Sequence, residues 1–345
     1  MFKKFLCIFA LITAMIFQSA AVSCAENTAV TATSSRSAAF SQNIEIEQAT
    51  PHEPQITPEE LQKQLEQLKK EQEQLKKDQE QLKKDREQLD TEREQLIKDQ
   101  EQLKKEQEKT DLENKRKQLT AELTSKTYMK YIKDLGYYKN TSKNDENLNI
   151  RNALLLFQSD HNMSVTGKWD DATKAMLIDR LLSSSFTYKD TVSKAPSTGK
   201  WIVVNKTKRT LTLYENTKVL KKYAVAVGNP MSLTKSGKFV INMKIVDPDW
   251  GGGGFAKPVK GGTPQNPLGS RWLGINRTDG SYGIHGTNSF YSIGTYASHG
   301  CIRMQNYCVE ELFQLVPMKA GVWVGTQDEL KKWGVTQDPF TQQNN

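Results

Sequence analysis

A leucine repeat in the first third of the chain constrains its folding more than any other feature. A seven-residue spacing places one apolar stripe on a single face of a helix. At about 1.5 Å per residue, the repeat predicts a helix of roughly 90 Å over residues 59–125, which would act as a spacer with no chemistry on it. The repeated leucines are Leu61, Leu68, Leu75, Leu82, Leu89, Leu96 and Leu103.

The second core position of this heptad is mostly polar, which leaves two interpretations open. It is occupied by Gln72, Gln79, Arg86, Arg93 and Gln100. A coiled coil with half of its seam polar is weak, and a dimer cannot be told from a trimer. The segment 59–125 is either a homo-oligomerisation helix, which we favour, or a solitary charged helix held by Glu-to-Lys pairs.

Residues 1–25 have the pattern of a signal peptide. Lys3 and Lys4 precede an apolar run over 5–17, which is too short for a membrane span, and small residues follow. This predicts export to the cell envelope, either the periplasm or the cell wall. The alternative is a lipoprotein acylated at Cys24, and only then would the protein attach to a membrane.

Composition divides the rest of the chain. Residues 26–58 are rich in Ala, Ser, Thr and Pro and predict a flexible linker. Helical spacing predicts a small all-α module of three helices over 127–183. A second linker is predicted at 184–199, and many short strands predict a mainly-β sandwich over 200–326. A C-terminal tail, 327–345, completes this multidomain architecture.

Charge and cysteine content restrict the function. The net charge of +8 comes without an Arg-rich block, so nucleic acid is not the expected partner, whereas polyanionic envelope polymers are compatible with it. Of four cysteines, Cys301 and Cys308 lie beyond the predicted signal peptide. Their spacing suits a disulfide poorly, and Cys308 is predicted to be a buried apolar residue.

The stretch from His285 to Cys301 carries the chemistry. Two histidines, His285 and His299, lie near one thiol, and imidazoles stabilise the thiolate that acts as a nucleophile. Gly300 allows a tight turn beside Cys301. The alternatives are a buried cysteine beside core histidines, or zinc, although His-x-Cys lacks the paired spacing of a structural zinc site. We predict a catalytic thiol with no metal and no cofactor.

The segments 282–287, Tyr-Gly-Ile-His-Gly-Thr, and 298–304, Ser-His-Gly-Cys-Ile-Arg-Met, resemble the L,D-transpeptidase catalytic domain, the YkuD family. The resemblance covers roughly residues 198–326 and implies a β-rich sandwich. It implies that Cys301 is the nucleophile and His285 its base, oriented by the Gly286 carbonyl. His299 would help to hold the thiolate, and amides near Gly300 and Cys301 would form an oxyanion hole.

The same resemblance implies the substrate and reaction. Arg303 would bind a carboxylate of a peptidoglycan stem peptide, with Tyr282 and Ser298 positioning the substrate. Cys301 would attack the carbonyl of the third stem residue, and an amine of a second stem would take the acyl group to give a 3→3 cross-link. Water as acceptor would make the protein an L,D-carboxypeptidase, and a protein amine would make it a wall-anchoring enzyme. A non-catalytic wall tether is the alternative outside enzymology.

The helical module also carries a resemblance. Phe157-Gln158 and the pattern Thr166-Gly167-x-x-Asp170-x-x-Thr173 resemble the peptidoglycan-binding domain 1 family. The resemblance implies that residues 127–183 bind peptidoglycan. A purely structural spacer domain is the alternative.

Overall fold

The computed structural model describes residues 57–196, 199–231, 233–275 and 282–341 of the chain. The chain divides into two compact units, Met1–Leu89 and Asp90–Asn345. The predicted signal peptide, with Cys24, and nearly all of the predicted linker 26–58 lie outside the described residues. Across the described ranges, no helix combines the length and the apolar character that crossing a membrane requires.

The described residues contain six α-helices. The first covers most of the segment predicted from the leucine repeat, and the next three form the helical module. The helices are α1 (Pro58–Glu122), α2 (Tyr128–Asp134), α3 (Glu146–Asp160), α4 (Asp171–Leu182), α5 (Asn306–Leu315) and α6 (Gln327–Lys332).

The part of α1 that lies in the first unit is stabilised locally. None of its residues is buried. Within the first unit, ion pairs four residues apart join Glu66 to Lys70 and Glu80 to Lys84, and each contributes a few tenths of a kcal/mol, about 0.3–0.5. The leucine stripe is exposed in the single chain. Oligomerisation through this helix stays a prediction.

The helical module has a core of its own. Ile132, Phe157 and Leu177, one from each helix, are fully buried in it together with Leu123, which follows the end of α1. Asp170 caps α4 by accepting a hydrogen bond from the Thr173 amide, and Asp145 caps α3 in the same way.

The C-terminal region is a β-sheet domain. Eight strands form one ladder in the order β10-β8-β7-β6-β11-β2-β3-β4, and two further pairs, β1-β12 and β5-β9, lie outside it. The strands are β1 (Asp190–Val192), β2 (Lys200–Asn205), β3 (Thr210–Glu215), β4 (Lys218–Ala224), β5 (Val227–Gly228), β6 (Gly237–Val246), β7 (Arg271–Ile275), β8 (Gly283–His285), β9 (Tyr296–Ser298), β10 (Ile302–Arg303), β11 (Gly321–Gly325) and β12 (Val335–Gln337).

Strand β6 joins the two halves of this ladder. Its first residues pair with β11, and residues from Ile241 onward pair with β7. One core cluster contains side chains from both halves, such as Ile202 and Leu213 from one and Leu273 and Ile284 from the other, together with α5. The ladder therefore folds back over a shared core, and the predicted sandwich is built from one continuous sheet.

The structure differs from the sequence prediction of a linker at 184–199 and a tail at 327–345. Strand β1 lies in the first segment and pairs antiparallel with β12 of the second. Asp190 of β1 forms a fully buried ion pair with Lys222, at 2.6 Å. Composition could not show this, because the pairing joins segments far apart in sequence.

The helical module and the β-sheet domain share a small apolar interface. Arg209 donates a hydrogen bond to the Val165 carbonyl at 2.9 Å, and Arg151 donates one to the Ile293 carbonyl at 2.6 Å. The two regions are therefore packed together within the second unit and not merely joined by a chain. The buried side chains of this interface are Leu155, Val165, Ala224, Ala226 and Ile293.

Candidate active site

Strands β8 and β10 bring the motif residues together. They pair in parallel, with Ile302 opposite Ile284 and Arg303 opposite His285. Both isoleucines are buried in the core. Because side chains alternate across a sheet, His285, Arg303 and Cys301, which lies just before β10, belong to the opposite face. All three line a cleft of about 740 Å³.

His285 is buried in its neutral form. It is only 4% exposed, and its Nδ1 donates a hydrogen bond to the Gly286 carbonyl at 2.6 Å, which leaves Nε2 with the free lone pair. Its ring stacks on Trp272 at 5.6 Å between centroids. Burial is the main cause that lowers the pKa of His285 to about 4, so the imidazole is unprotonated near neutral pH.

Asn306 supports the carbonyl that orients His285. Its Oδ1 accepts a hydrogen bond from the Thr287 amide at 2.9 Å. A Cβ on Gly286 would lie 2.1 Å from that same oxygen, so a larger residue would displace the Asn306 side chain from its hydrogen bond. The preceding residue, Gln305, donates to Asn152 of the helical module at 2.9 Å. Sequence reasoning missed Asn306; its one signal was that it opens the helix directly after the motif.

A turn presents Cys301, which is partly exposed and is not part of a disulfide. Ser298 Oγ donates to the Cys301 carbonyl at 2.5 Å, and the Gly300 amide donates to Ser298 Oγ at 3.2 Å. Gly300 has a φ of +112°, a conformation that disfavours other residues. Ser298 thus shapes the turn, and the Gly300 amide, predicted as an oxyanion donor, is engaged inside it.

Thr234 anchors this turn from outside the motif. Its hydroxyl donates to the Gly300 carbonyl at 2.7 Å and accepts from the Gly228 amide at 2.7 Å. It is buried. Nothing in the sequence pattern marked this threonine, because both partners are backbone atoms remote in sequence.

Arg303 supplies positive charge beside the thiol. Burial lowers the pKa of its guanidinium, and the negative charge of Cys301 raises it in part. A partly buried cation next to a sulfur atom stabilises the thiolate. The same guanidinium lines the cleft, where it can also bind a carboxylate.

Of the predicted residues His299 and Tyr282, only His299 lies at the cleft. His299 is exposed and lies on the wall of the cleft, with its ring 5.2 Å from that of Phe255. Tyr282 is buried in the core, and its hydroxyl donates to the Lys235 carbonyl at 3.3 Å. Tyr282 is not among the side chains that line the cleft. Its position therefore disagrees with the prediction that it contacts the substrate.

The glycine-rich loop at residues 251–262 forms one wall of the cleft. Trp250 and Phe255 line the cleft, and Trp250 exchanges two backbone hydrogen bonds with Val259. Asn266, which is buried, donates to the Pro248 carbonyl at 2.8 Å. A side-chain amide therefore holds the base of the loop.

Cys308 lies in the apolar core of the domain. Burial raises the pKa of its thiol to about 12, so this thiol is inert at neutral pH. Within the described ranges, no group of three His, Cys, Asp or Glu side chains is arranged to hold a metal ion.

The comparisons with known proteins agree with this geometry. The family model of the L,D-transpeptidase catalytic domain, YkuD, matches residues 199–324. YqjB of Bacillus subtilis, named as a candidate L,D-transpeptidase, is 41% identical over 127 residues, which are 36% of this chain and 70% of YqjB. The chain belongs to the L,D-transpeptidase family. The matched residues contain the whole of the His285-to-Arg303 motif.

Two further L,D-transpeptidases are also similar to this chain. YkuD of Bacillus subtilis, also named as a candidate L,D-transpeptidase, is 40% identical over 32% of this chain and 56% of its own length. A crystal structure of the L,D-transpeptidase of Xylanimonas cellulosilytica, residues 123–326, is 20% identical to this chain and has a TM-score of 0.41. The match covers 57% of this chain and 90% of the crystallised one.

Proposed function

We propose that this chain is a cysteine-dependent L,D-transpeptidase that forms 3→3 cross-links between peptidoglycan stem peptides through a thioester on Cys301. One observation carries the proposal. His285, Cys301 and Arg303 lie on the same face of two paired strands and line one cleft.

The first half of the reaction forms the thioester. His285 Nε2 takes the proton of the Cys301 thiol, and the thiolate attacks the carbonyl carbon of the third stem residue. The bond to the terminal D-residue breaks, and the leaving amine takes the proton from the His285 imidazolium. The Gly286 carbonyl, which accepts from Nδ1, stabilises that cation and keeps the ring in place.

The second half transfers the acyl group. An amine from a second stem attacks the thioester, His285 takes a proton from it, and the Cys301 thiolate leaves. Arg303 stabilises the thiolate at both ends of the cycle. A stem peptide is acidic at its C-terminus, so the same cation also attracts the donor to the cleft.

Muropeptide analysis tests this function. The full chain is incubated with purified peptidoglycan, and the digested products are identified by mass spectrometry. We expect new 3→3 cross-links with the native chain, none with Cys301→Ala, and undiminished cross-linking with Cys308→Ala, which changes the buried thiol. Cross-links formed by Cys301→Ala would contradict the proposal, and shortened stems without cross-links would identify an L,D-carboxypeptidase.

The proposal also assigns roles to the helical module and to the N-terminal residues. Residues 127–183 would bind peptidoglycan, and the pattern of residues 1–25 would direct export. Binding of Cys301→Ala to insoluble peptidoglycan, measured with an excess of soluble stem peptide, tests the first point. Binding that persists when the cleft is saturated supports a second surface. Binding that is lost shows that the cleft alone holds the wall.

A further inference from the structure

The first unit of the chain carries an apolar surface without a partner among its described residues. We name it the leucine face, and it consists of Leu61, Leu65, Leu68, Leu75, Leu82 and Leu89 on α1. These side chains are between 54% and 71% exposed. Exposed leucines in one continuous row cost hydration free energy that burial against a second surface would recover, at about 25 cal/mol per Å².

Charges of opposite sign flank the leucine face. Lysines directly follow Leu68, Leu75 and Leu82 and occupy the e positions of the heptad when the repeated leucines are d. Acidic residues occupy the g positions, three residues after the same three leucines. The lysines are Lys69, Lys76 and Lys83, and the acidic residues are Glu71, Asp78 and Asp85.

These flanking charges form no ion pairs with one another within the helix. The ion pairs of this segment join Glu66 to Lys70, Glu73 to Lys77 and Glu80 to Lys84, which are b and f positions on the far side. Among residues 57–89, none of the three e-position lysines takes part in an ion pair. The g-position acids accept hydrogen bonds from neutral glutamines; Gln74, for example, donates to Asp78 at 2.8 Å.

We propose that residues 61–89 pair with the same segment of a second copy of this chain, parallel and in register. In a parallel coiled coil, each g residue faces the e residue of the next heptad on the partner helix. Glu71 then faces Lys76 of the second copy, and Asp78 faces Lys83, which gives four interchain ion pairs by symmetry.

The opposite orientation is disfavoured by the same charges. An antiparallel pair places e opposite e and g opposite g. Lysine would then face lysine and acid would face acid between residues 69 and 85, and like charges at these positions repel. The flanking charges therefore favour a parallel arrangement of identical copies.

The polar residues at the a positions limit the affinity between the two helices. Gln72, Gln79 and Arg86 occupy a positions, where their long side chains can extend past the leucines to water in a two-stranded assembly. This weakens the association and leaves the leucines and the flanking charges to hold it together.

Sedimentation equilibrium of the full chain tests the pairing. We expect the average mass to rise from 39.1 kDa toward twice that value within the micromolar range. The triple variant Lys69→Glu, Lys76→Glu, Lys83→Glu replaces four attractive pairs by repulsive ones and should weaken association at least about tenfold.

A matched variant controls for net charge. Lys70→Glu, Lys77→Glu and Lys84→Glu change the same charge at f positions, which face away from the seam, and should associate as the native chain does. Far-UV circular dichroism verifies that both variants keep the helix. A native chain that stays at the monomer mass, or equal weakening by the two variants, would overturn the proposal.

Disulfide trapping tests direction and register. Leu61→Cys and Leu89→Cys are made separately in a full chain whose Cys7, Cys24, Cys301 and Cys308 are replaced by alanine. A parallel pair in register traps each variant as a covalent homodimer. Trapping only in a mixture of the two variants would show an antiparallel pair, because that arrangement brings residue 61 next to residue 89, and would refute the proposal.

Discussion

The first half of α1 and the β2–β3 hairpin are stabilised by different kinds of contact. In residues 58–89 every side chain is solvent-exposed, and the contacts join residues four apart. In β2 and β3 nearly every side chain is buried. The helix is specified by its own repeat, whereas the sheet depends on contacts between remote segments. Only the second arrangement can hold His285 buried and neutral.

The largest expected effect concerns the two histidines of the motif. His285→Ala should lower kcat by a factor on the order of 10² to 10⁴, because it removes the buried base. His299→Ala changes an exposed ring and should lower kcat less than about tenfold. Initial rates of stem-peptide processing measure both variants. A larger loss in His299→Ala would mean that the exposed histidine is the base.

Two neighbouring lysines contrast a buried with an exposed ion pair. Lys222→Met leaves Asp190 as an uncompensated buried charge and should reduce the free energy of unfolding by about 3–5 kcal/mol. Lys221→Met removes the partly exposed pair with Glu311 and should cost about 1 kcal/mol or less. Urea unfolding measures the difference. Equal losses would show that β1 does not contribute to the domain through its buried charge.

The same substitution at one leucine in each region compares the two regions directly. Leu213 is fully buried in β3, whereas Leu75 is 59% exposed on α1. Leu213→Ala should cost about 2–5 kcal/mol through lost burial and a cavity. Leu75→Ala should stay within about 0.5 kcal/mol in the unassociated chain. Thermal unfolding at low protein concentration is the measurement. A large loss for Leu75→Ala there would show that the part of α1 around residue 75 packs within its own chain.

The smallest expected effect concerns Asn306. Asn306→Ala removes the acceptor for the Thr287 amide and should lower kcat roughly tenfold, with little change in KM. Asn306→Asp keeps that acceptor and should retain more of the rate. Because the pKa of His285 is about 4, the base is lost only as pH falls toward 4, and that sets the acid limb of kcat/KM.

A carboxylate at position 306 should raise the pKa of His285 and so move this acid limb to higher pH. A residue that only stabilised the fold would leave the limb in place. An unchanged limb in Asn306→Asp, together with equal rates in the two variants, would therefore show that Asn306 does not position the base.

Sequence patterns predicted the parts that depend on local spacing. The heptad predicted α1, and the motif singled out His285, Cys301 and Arg303, which the fold brings to one cleft; their roles stay a prediction. Asn306 and Thr234 were missed since their contacts are with backbone groups brought close by the fold. The pairing of β1 with β12 was missed for the same reason: the hydrogen bond between Gln337 and Asp190 spans 147 residues.

Capture of the acyl-enzyme tests the central claim most directly. The full chain is mixed with a tetrapeptide stem in the absence of an acceptor amine, quenched in acid, and analysed by intact-mass spectrometry and peptide mapping. We expect the mass of one tripeptide acyl group on Cys301, and none in Cys301→Ala. An acyl group mapped to Cys308 or any other side chain, or cross-linking that proceeds with no acyl group on Cys301, would contradict the account.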